Sequence, residues 1–214
     1  IWTERRGLAR LAAFLTALAG PTVWGVLSGM EVTLAALLVT AALVLYARGR
    51  SVPAAIALAL GTAARPESAI LLPLFWLSGP PTWRRAVAWL APSAVCLGPW
   101  VAFNLATVGG PLPATATAKI EGGLVGWLRG VRGPPATMLL ARPGRFEAEW
   151  AQWLWQTDVL LPVLLLPGLW WLGRRWGRAA LVPALVLLAH PLAMALLAPY
   201  RGPGFQEGRY SIHL

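Results

Sequence analysis

Thr62-Ala63-Ala64-Arg65-Pro66-Glu67-Ser68 sets an arginine and a glutamate between two apolar runs, Val52–Ala64 and Ala69–Leu77. Each run is too apolar for a soluble loop. Each is also short for a membrane crossing, since thirteen helical residues rise roughly 20 Å against a hydrocarbon core of about 30 Å. An ionisable group at bilayer depth costs on the order of 2.5–3.5 kcal/mol, so such groups are kept where they pair or line a polar cavity. Pro66 lacks an N–H and pushes Arg65 out of the helical region, which breaks a continuous helix there. The stretch predicts a tight hairpin whose charged tip sits in a site.

Composition sets the class. The chain of 214 residues is 57% hydrophobic and only 12% charged, with a mean hydropathy of +0.62. Average soluble domains carry about 25% charged residues. The chain therefore reads as an integral membrane protein, and its thirteen tryptophans suit a large interfacial surface. Cys96 is the single cysteine, so there is no disulfide framework. The chain begins at Ile1 without a signal peptide and ends in mid-pattern at Leu214, and reads as an internal part of a longer protein.

Outward from the hairpin, apolar spans alternate with short charged turns. Leu8–Leu27, with a break near Gly20-Pro21, and Val32–Ala47 precede it. Ala86–Leu105, interrupted by Pro92 and Pro99, follows. Residues 106–158 lack a spanning run and form a long outer loop. Val159–Leu172 and Ala179–Ala198 complete the set. The expected fold is an all-α, polytopic transmembrane helix bundle, one domain over residues 1–214. Within the outer loop, Phe146, Trp150, Trp153 and Leu154 form a helical stripe with acids opposite, which predicts a helix lying in the membrane interface.

The arginines orient the bundle. With residues 52–77 read as a hairpin, one side collects Arg5, Arg6, Arg10, Arg48, Arg50, Arg84, Arg85, Arg174, Arg175 and Arg178, ten of the eighteen basic residues, with one acid, Glu4. The other side holds eight basic residues and seven acids. A single kinked crossing at 52–77 would instead export the clusters at Arg84 and Arg174. The positive-inside rule favours the hairpin and makes the arginine side cytoplasmic. The net charge of +10 is then an orientation signal and a contact for anionic lipid. No basic folded surface for nucleic acid is legible.

Four outward points carry polar groups beside apolar spans. Glu31, after Ser28-Gly29-Met30, opens a helix, where a carboxylate serves either as a cap or as a cavity group. Arg65 and Glu67 form the hairpin tip, read either as a mutual pair or as site residues. Asn104 and the single lysine, Lys119, flank Gly109-Gly110-Pro111-Leu112-Pro113. Arg209 and Tyr210 follow Gln206-Glu207-Gly208. A guanidinium or an ammonium there suits a phosphate. His190 and His213 have no metal-ligand spacing, and His190-Pro191 within a span reads as structural.

Taken in order, Ser28-Gly29-Met30-Glu31, Ala64-Arg65-Pro66-Glu67, Pro99-Trp100 with Asn104, Gly110-Pro111-Leu112-Pro113-Ala114-Thr115 with Ala118-Lys119, and Gly208-Arg209-Tyr210 resemble the polytopic GT-C superfamily glycosyltransferases. The likeness is to bacterial members related to protein mannosyltransferases and terminal arabinofuranosyltransferases. It covers nearly the whole chain and departs at Ala114, where asparagine is frequent, and at Ser68, where glycine is frequent. The resemblance implies a multi-pass protein of the bacterial cytoplasmic membrane. Such a protein transfers a sugar from a polyprenyl-phosphate donor to an extracytoplasmic glycan, lipid or protein. It implies Arg65, Lys119, Arg209 and Tyr210 as donor-phosphate contacts, and Glu31, Glu67 and Asn104 as orienting or acceptor-binding groups. The family's catalytic acid is expected upstream of Ile1. No cofactor is implied, and a divalent metal is left open. The competing readings are a transporter or flippase for a lipid-linked glycan, and a non-catalytic membrane scaffold.

Overall fold

A computed structural model describes residues 6–18, 23, 26, 27, 31–121, 123–130, 142–157 and 160–197. These residues form helices joined by turns, with no strand among them. Helix α1 spans Arg6–Leu18. Helix α2, Val32–Ala47, has the bounds its hydropathy predicts. Its buried residues Val32, Ala35, Val39 and Ala42 recur every three or four positions and form one inward stripe.

The turn out of α2 is short because Gly49 adopts φ 75°. Its N–H donates to the Tyr46 carbonyl, and the Arg50 N–H reaches back to Leu45. A side chain at Gly49 would face the left-handed penalty of roughly 1–2 kcal/mol. Helix α3, Ser51–Ala64, then packs antiparallel on α2. Its inner face is built from Ala54, Ala55, Leu58 and Gly61. A Cβ at Gly61 would already touch Leu38 at 3.4 Å. Small residues of this kind let two apolar helices approach closely where no hydrophobic effect drives them together.

At Arg65 the backbone becomes extended, with φ −138° and ψ 110°. A 3-10 turn over Pro66–Ile70 and helix α4, Leu71–Leu77, carry the chain back. The return matches the outward run: fourteen α residues rise about 21 Å, and five 3-10 plus seven α residues rise about 20 Å. Ser78 thus arrives beside the end of α2, where its hydroxyl meets the Tyr46 hydroxyl at 2.7 Å. Residues 51–78 are a hairpin, not one crossing.

Helix α5, Trp83–Val108, starts at the same end. Thr82 caps it by accepting from the Arg85 N–H. The sequence reads as interrupted by Pro92 and Pro99, yet the helix runs through both. Each proline removes one ladder bond, a loss that apolar spans tolerate when neighbouring helices and local adjustments satisfy the freed carbonyl. Gly109, at φ 76°, closes α5. Short helices α6, Ala114–Glu121, and α7, Leu124–Leu128, occupy the loop. Helix α8, Arg142–Thr157, carries the aromatic stripe and buries Phe146 against α10. Helices α9, Leu160–Trp176, and α10, Leu181–Leu197, are joined by a 3-10 turn at Gly177–Ala180.

The core joins α2, α3, α4, α5 and α10. Leu58, Leu71, Phe75, Trp89, Val182 and Val186 are buried together. Tyr46, Phe75 and Trp89 pack with ring centroids 5.2–5.9 Å apart. Among the described residues, two helical stretches are long and apolar enough to cross a membrane, Trp83–Val108 and Val163–Ala195, the second running through the Gly177 turn. Only 11% of the apolar window in α5 is buried, so most of its apolar surface faces outward, with Leu90, Val95 and Phe103 exposed. That exposure is unlike the core helix of a soluble protein, which buries its apolar face.

Candidate functional site

The two ends of the helices differ in chemistry. At one end, the turn after α2 carries Arg48 and Arg50, and the first turn of α5 carries Arg84 and Arg85. Contacts tie these turns together: Arg85 donates to the Tyr46 hydroxyl at 2.8 Å and to the Phe75 carbonyl at 2.5 Å. The last turn of α9, with Arg174 and Arg175, and the 3-10 turn with Arg178 lead into Val182 of the same core. At the other end lies a cavity of about 870 Å³. The hairpin tip, the start of α2, the segment Leu112–Ile120 and the last turns of α10 enclose it.

The cavity wall is mostly apolar, and its ionisable side chains among the described residues are Glu31, Glu67 and His190. Glu31 is the N-cap of α2 but makes no side-chain capping bond. It is exposed and faces the cavity. Glu67 stands in the first turn of the 3-10 segment. Its carboxylate accepts from Arg65 Nη2 at 3.1 Å.

Arg65 itself does not line the cavity. Ala63, Ala64, Pro66 and Glu67 do, while the Arg65 side chain is 2% exposed inside the protein. Extended backbone at Arg65 turns its side chain away from the wall that its neighbours form. The guanidinium Nε and Nη1 have no hydrogen-bond partner among the described residues. An unmet buried donor costs about 1–3 kcal/mol. The tip therefore holds a buried cation, tied to a carboxylate that reaches the cavity.

The other expected site residues fall in different places. Asn104 is buried on α5, away from this wall. Lys119 lies on α6 between the wall residues Ala116 and Ile120, and its side chain is outside the description. Ser28, Gly29, Met30, Arg209 and Tyr210 lie outside the described residues. His190, read from sequence as structural, is on the wall and 1% exposed. The signal was present: an imidazole within an apolar span is expensive unless it serves a cavity or a partner. No group of three or more His, Cys, Asp or Glu side chains able to hold a metal occurs among the described residues.

Comparison with known proteins adds no neighbour: no family model, curated protein or solved structure matches the chain.

Proposed function

We propose that the chain is part of a multi-pass membrane glycosyltransferase that moves a sugar from a polyprenyl-phosphate donor to an extracytoplasmic acceptor. The single observation that carries this reading is the cavity bearing Glu31 and Glu67 at the end of the helices opposite the arginine turns. Arginine-rich turns favour the cytoplasmic face, so the cavity opens on the far side of a bacterial cytoplasmic membrane. A lipid-linked donor keeps its tail in the bilayer and presents its phosphate at that interface.

The ordered motifs support the same reading. Lys119, Arg209 and Tyr210 remain the proposed contacts for the donor phosphate. Arg65 leaves that set, because its buried position makes it a partner of Glu67. Leaving-group charge on the phosphate is what positioned cations stabilise in a low-dielectric site.

The test is transfer by the full-length protein in membranes supplied with labelled polyprenyl-phosphate sugars. Label should pass to an outer-face acceptor, and Glu67→Gln should lower transfer at least tenfold while insertion is unchanged. Equal transfer by membranes with and without the protein would reject the reading.

A further inference from the structure

Three helices meet the arginine end with the same two-part surface: an exposed arginine and, beneath it, an exposed apolar stripe. Helix α3 starts after Arg50, and Val52, Ile56 and Leu60 recur four apart on its outer face. Helix α5, packed on α3, carries Arg84 in its first turn and exposes Val87 and Leu90 below it. Helix α9 ends here, with the Arg174 guanidinium 4.1 Å from the ring centroid of the exposed Trp170 and with Leu166 exposed one turn further in. Arg50, Arg84 and Arg174 are exposed, and among the described residues they make no ion pair. No acid stands in 48–50, 78–85 or 173–180 to compete for them. Arg85 differs from its neighbour Arg84, because its guanidinium is committed to the Tyr46 hydroxyl and the Phe75 carbonyl.

A guanidinium above an apolar wall has the shape of a phospholipid in reverse. The phosphate takes the fork of N–H donors, and the acyl chains lie along the wall. A free anion would use the cation and leave the wall bare. A zwitterionic lipid would use the wall but bring no net charge to the cation. We propose that the arginine end is a docking surface for anionic phospholipids, with Arg50, Arg84 and Arg174 as the headgroup contacts and the stripes beneath them as the seats of the acyl chains. Three positions, and not the net charge of +10, set the preference. Arg85 takes no part in it, since its donors hold the base of the hairpin. A basic residue at an anionic membrane surface is worth about fivefold in affinity, so three together give on the order of a hundredfold. The proposal uses the membrane placement and is independent of sugar transfer.

The experiment titrates the full-length protein, delipidated in a neutral detergent, with dioctanoyl phosphatidylglycerol and dioctanoyl phosphatidylcholine, and reads bound lipid by native mass spectrometry. Phosphatidylglycerol should bind about a hundredfold tighter. Glycerophosphoglycerol, the same head without chains, should not displace it at equal concentration. Arg50→Gln, Arg84→Gln and Arg174→Gln together should make the two lipids nearly equal while the protein melts as the parent does in lipid-free detergent. The matching triple change to lysine keeps a point charge at each position and should keep most of the preference. Arg129→Gln with Arg145→Gln removes two exposed cations that pair with Glu121 and Glu149, and should leave the preference unchanged. Equal affinity for the two lipids, a preference that survives the triple change to glutamine, an equal loss in the Arg129 and Arg145 variant, or displacement by the head alone overturns the proposal. No arm contains a sugar donor, so failure here and failure of the transfer assay are separate results.

Discussion

Tyr46 and Ser78 meet hydroxyl to hydroxyl at 2.7 Å although they are 32 positions apart. That contact closes the hairpin: the chain leaves the end of α2, runs out along α3, turns at Arg65 and returns to its starting level. Arg85 joins the same knot through Tyr46 and the Phe75 carbonyl, and its guanidinium lies 5.4 Å from the Tyr46 ring centroid.

Tyr46→Phe and Ser78→Ala should therefore be non-additive. Each removes one side of a part-buried bond whose net value is about 0.5–1.5 kcal/mol. A double-mutant cycle on thermal stability in detergent should recover a coupling of that size. Strict additivity would mean that the two hydroxyls do not meet.

Gly79→Ala should loosen the same knot. A Cβ at Gly79 would land on the Arg85 guanidinium, which is already committed to Tyr46 and Phe75. The expected loss is about 1–3 kcal/mol, the range for displacing a charge-assisted bond. That is roughly 2–4 °C in melting temperature per kcal/mol for a chain of this length. In an Arg85→Ala background the same substitution should be nearly silent, and a melting comparison of the four variants checks it.

The Arg65–Glu67 pair should respond asymmetrically. Glu67→Gln leaves a guanidinium that is 2% exposed without its counter-ion, and arginine cannot shed its proton. Arg65→Gln leaves a carboxylate that is 18% exposed at the cavity, where it can be solvated or protonated. Glu67→Gln should therefore cost more stability, toward the 3–5 kcal/mol seen when one partner of a buried pair is removed. The double variant should recover much of the loss. Equal melting temperatures for the two single variants would contradict this geometry.

The pH response of α8 should run in the unusual direction for a carboxylate. Burial holds the Glu147 carboxyl above its ordinary value. The folded chain then binds that proton more tightly than the unfolded chain. Its contribution is best below the ordinary glutamate range, and it declines as pH rises from there through the raised value. Glu147→Gln should flatten that decline and slightly raise stability near neutral pH. Melting curves across the weakly acidic range, for both proteins, measure it.

Much of the helical layout was legible because apolar runs and arginine turns are local signals. Val32–Ala47 is bounded by Glu31 and by Arg48-Gly49-Arg50, and the helix has the same bounds. The break at Arg65 was legible because Pro66 acts on its immediate neighbour. The run through Pro92 and Pro99 was not, since whether a proline ends a helix depends on what neighbouring elements do for the freed carbonyls. The place of His190 on the cavity wall was not legible for a similar reason: within a span its neighbours are apolar, and only packing of α10 on the hairpin tip brings it to the cavity.

Composition, hydropathy and charge thus determined by themselves an all-helical apolar chain with arginine-rich turns and a reversal at Pro66, because each depends on residues adjacent in sequence. The tertiary structure alone decided which way the tip side chains face. It buried Arg65 and left Glu67 and Glu31 on a common wall, because a side chain's burial is set by residues far away in the chain. Glu31 and Glu67 line one cavity only once α2 and α3 have packed antiparallel through their small residues.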